Sequence, residues 1–137
     1  MLNIIEYPVQ VELLKDGRSL RLLKTYYFTD SKGITWIAHE GSVVDGASIP
    51  RSLWSLSGSP LVGKYRDASI VHDVYCVSRE HSHEATHHMF WELMIASGVS
   101  DWKAQKMWVA VNLGGPKWDE DGLDLEALDY KHDMEEW

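Results

Sequence analysis

Apolar and polar residues alternate near the start of the chain, where Val9, Val11 and Leu13 are separated by Gln10 and Glu12. A period of two sends successive side chains to opposite faces of a strand. Asp16-Gly17 follows, a pair that readily takes the positive-φ turn of a hairpin. Leu20, Leu22 and the cluster Tyr26-Tyr27-Phe28 predict a second strand, Ser31-Lys32-Gly33 a turn, and Ile34-Thr35-Trp36-Ile37-Ala38 a third strand. The expected product is an antiparallel meander over residues 1–40.

The pattern changes at Val43-Val44-Asp45-Gly46-Ala47-Ser48-Ile49-Pro50-Arg51, a run too polar for a central strand and punctuated by Gly46 and Pro50. A short helix is expected from Arg51 to Leu56, then a loop at Ser57-Gly58-Ser59-Pro60. Three helices are predicted next: Tyr65 to Ser78, a second after the N-cap Ser82 ending at Gly98, and a third from Ser100 to Gly114-Gly115-Pro116. Leu123, Ala127, Tyr130, Met134 and Trp137 recur at helical spacing and predict an amphipathic tail helix. The fold class expected is α+β, a β-meander followed by a bundle of three to four helices.

Composition narrows this to one domain over residues 1–137. A chain of 137 residues with 45% hydrophobic and 25% charged residues is ordinary globular material. Its divisions are a sheet over 1–40, an irregular segment over 41–64, a helical half over 65–115 and an acidic tail over 116–137. The net charge of −8 argues against binding of nucleic-acid phosphates, which needs clustered Lys and Arg. Neither a signal peptide nor a membrane-spanning run is evident. Cys76 is the single cysteine, which excludes an intramolecular disulfide and fits a reducing cytoplasm.

The helix over 67–78 carries the main candidate chemistry. A helical wheel puts Ile70, Val71, Val74 and Val77 on the side expected to bury, and His72, Asp73, Cys76 and Ser69 opposite, with Tyr75 at the boundary. His72 and Asp73 are therefore expected to face solvent or a cleft. An imidazole can take a proton from water near neutral pH, and a carboxylate beside it can hold a hard cation. On the next helix, His83 and His87 share one margin, and antiparallel packing would bring His87 towards His72. Asp45 either ligates at this site or bonds backbone amides to shape its own loop.

The segments VVDGASIPRSLW, RDASIVHDVY and HHMFWELM resemble a phage- and prophage-associated family of unknown function. The resemblance covers roughly residues 26 to 115 and includes a Val-rich helix ending in glycine. Its helical pair is in turn similar to the active-site helices of phospholipases of the A class. That similarity implies His72 as the water-activating base and Asp73 as a calcium ligand, with His87 where those enzymes place an orienting aspartate. Cys76 stands four residues after the histidine, where they have a tyrosine, and Tyr75 is one place early. Carbonyls of Asp45-Gly46 would stand in for their calcium loop. The implied function is a hydrolase-like protein using a His-Asp dyad, with metal-assisted ester or lipid hydrolysis as its reaction.

Two other readings stand beside it. His83-Glu84-Ala85-Thr86-His87 matches the H-E-x-x-H zinc pattern, with Asp73 as the candidate third ligand. Alternatively the chain is a non-enzymatic accessory, virion or host-factor-binding protein whose acidic, Trp-rich surface meets a partner protein. The expected location is the cytoplasm of an infected or lysogenic host, or the virion.

Overall fold

A computed structural model describes residues 7–46, 48–49 and 63–125. The expected helix from Arg51 to Leu56 and most of the expected tail helix lie outside the described residues.

Five short strands lead the chain: β1 (Val11–Leu13), β2 (Leu20–Leu22), β3 (Tyr26–Thr29), β4 (Thr35–Ala38) and β5 (Val43–Val44). They form two antiparallel sheets rather than one meander, ordered β1-β2-β5 and β3-β4. The Asp16-Gly17 turn joins β1 to β2, with Gly17 at φ 76°. Asp16 accepts from the amides of Arg18 and Ser19 and from the Ser19 hydroxyl, which lowers its pKa to about 2. The expected second strand is divided: Leu23 still donates to the Gln10 carbonyl, extending the β1–β2 ladder by one bond, and the chain then resumes at Tyr26 as β3, which pairs with β4. Val43 and Val44, expected to be irregular, instead pair with Arg21 and Leu20. Two β-branched residues suffice for a short edge ladder even beside a polar run.

Three helices follow: α1 (Arg66–Ser78), entered through a 3-10 turn at Gly63–Tyr65, then α2 (His83–Ala96) and α3 (Asp101–Gly114). Ser82 caps α2, its hydroxyl accepting from the amide of Ala85. The architecture is α+β, antiparallel strands followed by helices. The core joins Tyr26, Phe28 and Trp36 from the sheet to Ile70, Phe90 and Leu93 from the helices.

Helix α1 is central, touched by α2 on one side and by β4 and β5 on another. This position overturns half of the expected wheel: Ile70 and Val71 are buried as expected, but the opposite side is not open. His72, Ser69, Asp73 and Cys76 are all buried, His72 with no exposure at all, while Val77 is 82% exposed and Val74 is half-buried. A helix covered from two directions has no single dry stripe, so its polar residues are buried too and must find partners.

Candidate functional site: a buried polar chain

Asp73, about two turns into α1, reaches the segment that follows β5. Its Oδ2 accepts from the amides of Gly46 at 2.6 Å and Asp45 at 3.2 Å, and its Oδ1 from the amide of Ser48 at 3.1 Å. Three amides converging on one carboxyl form an anion-holding nest. Gly46 makes the approach possible, with φ at 78°, a conformation that costs a glycine little. Asp45 thus meets the dyad through its backbone, while the residue itself is exposed. The carboxyl of Asp73 holds a loop in place, and both of its oxygens are engaged.

The neighbouring histidine starts a chain of hydrogen bonds. His72 Nδ1 lies 2.9 Å from Ser48 Oγ, and His72 Nε2 lies 2.8 Å from His87 Nδ1. His87 Nε2 is 2.9 Å from the carbonyl oxygen of Pro116. Ser48 Oγ is also hydrogen-bonded to Asp73 Oδ1. Phe90 packs on the His72 ring, centroid to centroid at 4.8 Å.

The far end of this chain sets the direction of its hydrogens. A carbonyl only accepts, so His87 Nε2 carries a hydrogen. Burial lowers the pKa of His87 to about 4, so at neutral pH its Nδ1 is a bare acceptor. His72 Nε2 then donates to it. Burial, and secondarily His87, hold His72 well below its ordinary pKa, which leaves its Nδ1 bare as well. Ser48 Oγ has a single hydrogen to give, with that nitrogen and Asp73 Oδ1 both within reach. Burial raises the pKa of Asp73, while the Ser48 hydroxyl and the amides of Gly46 and Ser48, all donating to the carboxyl, pull the other way.

Ser48 is the participant that sequence reasoning missed. The signal available was its place in a polar run next to a glycine, but nothing in spacing tied that run to α1. Cys76, by contrast, sits beside the same histidine as a neutral thiol. Its sulfur lies 3.7 and 3.6 Å from the two nitrogens of His72, and burial followed by Asp73 pushes the thiol up to about 12. A thiol so placed stays protonated, whereas attack needs the thiolate. Tyr75 faces the sheet: its hydroxyl accepts from the amide of Ile37 at 2.8 Å and its ring meets Trp36 edge-on.

The zinc pattern is dispersed by the same contacts. His83 Nδ1 faces the backbone of Trp118, and its Nε2 lies 2.5 Å from Glu84 Oε1. His87 spends both nitrogens in the chain above. Among the described residues no group of three His, Cys, Asp or Glu side chains could hold a metal ion. Asp73, His83 and His87 are thus each engaged with different partners and are not gathered into one ligand set.

Comparison with known sequences assigns the family. The profile described as "Protein of unknown function (DUF1353)" matches residues 20–111, and the chain belongs to that family. Two relatives come from Sinorhizobium fredii (strain NBRC 101917 / NGR234). Uncharacterized protein y4jT is 41% identical over 104 residues, which is 75% of this chain and 31% of that protein. Uncharacterized protein y4iH is 37% identical over 101 residues, 73% of this chain and 42% of that protein. The chain thus spans well under half the length of these relatives. No solved structure matches it. No helix among the described residues is long and apolar enough to cross a membrane.

Proposed function

We propose that this chain is a phage- or prophage-encoded hydrolase for esters, lipid esters included, with Ser48 as nucleophile, His72 as base and His87 as the residue that orients the base. The observation that carries the reading is the 2.9 Å contact between Ser48 Oγ and His72 Nδ1, continued to His87 and the Pro116 carbonyl. A serine is a weak nucleophile until an adjacent base accepts its proton, and the base works when a third group fixes its tautomer. In the reaction, Ser48 Oγ bonds to the ester carbonyl carbon while its proton passes to His72 Nδ1. That proton goes to the leaving alcohol as the ester C–O bond breaks. Water then attacks the acyl-serine, and the acid and Ser48 are released. Asp73 holds the serine's loop rather than a metal.

A second reading is favoured by burial. His72 has no exposure and Ser48 only 7%, and the nearby amides are already taken by Asp73. On this reading the polar chain locks the loop onto α1 in a non-enzymatic accessory, virion or host-factor-binding protein.

A fluorophosphonate probe separates the two. Its phosphorus bonds to an activated serine oxygen and fluoride leaves, so labelling needs no known substrate. The hydrolase reading expects a single adduct on Ser48 in the folded protein, absent in Ser48→Ala. In His72→Ala labelling should slow about a hundred- to ten-thousand-fold with the fold intact. No adduct on folded protein, together with a loss of about 1–3 kcal/mol in His72→Ala, would leave the locking role.

A further inference from the structure

Away from the buried chain, α2 and α3 enclose an open notch of about 530 Å³ lined by His88, Trp91, Ile95, Asp101, Gln105 and Trp108. Three aromatic rings meet there. The ring centroids of His88 and Trp91 are 5.6 Å apart, those of His88 and Trp108 6.4 Å, and those of Trp91 and Trp108 6.4 Å. The planes of His88 and Trp108 are nearly perpendicular at 83°, and the other two pairs are tilted at 46° and 48°. Rings set at such angles present faces from different directions instead of stacking flat on one another.

Asp101 lines the notch, and no Lys or Arg is among the lining residues. A second carboxylate, buried Glu92, lies against His88, with Oε2 3.6 Å from His88 Nδ1 and no hydrogen-bond partner of its own. Its Oε1 accepts from the amide of Ser31. Other aromatic faces of the molecule already hold cations. Lys106 Nζ lies 4.9 Å and Lys103 Nζ 5.7 Å from the Trp102 ring centroid, Arg79 Cζ 5.0 Å from that of Trp118, and Lys24 Nζ 4.2 Å from that of Tyr7. Among the described residues, the rings of the notch have acids nearby and no cation of the chain lining their cavity.

We propose that the notch between α2 and α3 is a binding site for a small, free quaternary ammonium ion of the choline class, caged by His88, Trp91 and Trp108 and balanced by Asp101. The negative faces of aromatic rings attract a cation most strongly when it is partly stripped of water, and a quaternary ammonium gives up its water easily because it has no N–H to satisfy. The volume is that of a small-molecule site, and its lining is confined to two helical turns on each helix rather than drawn out into a groove for a chain. This site is independent of Ser48 and His72.

Titration calorimetry of the full chain with choline tests the proposal against 3,3-dimethyl-1-butanol, the neutral molecule of the same shape. Choline should bind about tenfold or more tightly than its isostere, the margin of a partly desolvated cation–π contact. Gln105→Lys places a resident cation in the notch at an exposed position and should abolish choline binding. Asp101→Asn should weaken it several-fold. Trp108→Leu should also abolish it, with circular dichroism and melting temperature checking that the helices remain. Equal binding of choline and isostere, no choline binding, or full binding by Gln105→Lys would overturn the proposal. A trimethyl-lysine peptide binding more tightly than choline would overturn the choice of a free small cation.

Discussion

His72-Asp73 on α1 and His83-Glu84 on α2 are the same kind of pair in sequence, an imidazole followed by a carboxylate, yet they behave in opposite ways. His83 and Glu84 bond each other directly, with the Glu84 side chain 72% exposed. His72 and Asp73 turn to different neighbours, one to His87 and Ser48 and the other to the loop amides. Consecutive residues on a helix point about 100° apart, so they meet only when nothing else competes for them. Glu84 projects into solvent and meets only its neighbour, whose other nitrogen is held by the Trp118 backbone. In the interior every polar atom must be satisfied, and the surrounding elements decide the pairing. The lesson is that a His-acid dipeptide gains its chemistry from what is packed around it.

The largest expected effect that tests this contrast comes from Asp73→Ala, which strips three buried or half-buried amides of their acceptor. Each orphaned amide costs about 1–3 kcal/mol, so a total loss of about 3–9 kcal/mol is expected in urea denaturation. A loss below about 1 kcal/mol would show that the loop does not depend on this clamp.

The next effect is in pH. His87 takes up a proton at about 4 in the fold and near 6.5 when unfolded. Between those values the unfolded chain binds more protons than the native one, so stability present above pH 6.5 should drain away as pH falls towards 4. His72 acts in the same sense, while the raised pKa of Asp73 works against it. The informative quantity is therefore the difference between the parent protein and His87→Gln, whose stability should fall less steeply over this window. Parallel curves would mean that His87 is not held neutral. The smallest effect belongs to the surface pair, since Glu84→Gln should change the unfolding free energy by no more than about 0.5–1 kcal/mol.

Much of the helical half could be read from the sequence. Ser82 as a cap, Gly98 as a stop and the Gly114-Gly115-Pro116 exit are local signals, and local hydrogen bonding fixed those boundaries. The hairpin at Asp16-Gly17 was legible for the same reason. What escaped was long-range. The split into two sheets depends on β2 pairing with β5 while β3 pairs with β4, a choice of partners that periodicity does not record. The site divides along the same line. His72, Asp73 and His87 stand out by residue type, but Ser48 enters only because Asp73 draws its loop across the sequence to α1.

Gly115 shows how far a missing atom can act. It follows α3, and a side-chain carbon there would stand 2.4 Å from the carbonyl oxygen of Val111. The chain can turn this closely only because that carbon is absent, and the turn delivers the Pro116 carbonyl to His87. A steric vacancy at one residue therefore acts as an instruction on polarity at another, telling two imidazoles which way to pass their hydrogens until the sequence of donors ends at Ser48. Shape at the exit of a helix becomes polarity in a chain of hydrogen bonds, and a single added methyl would be enough to disturb it.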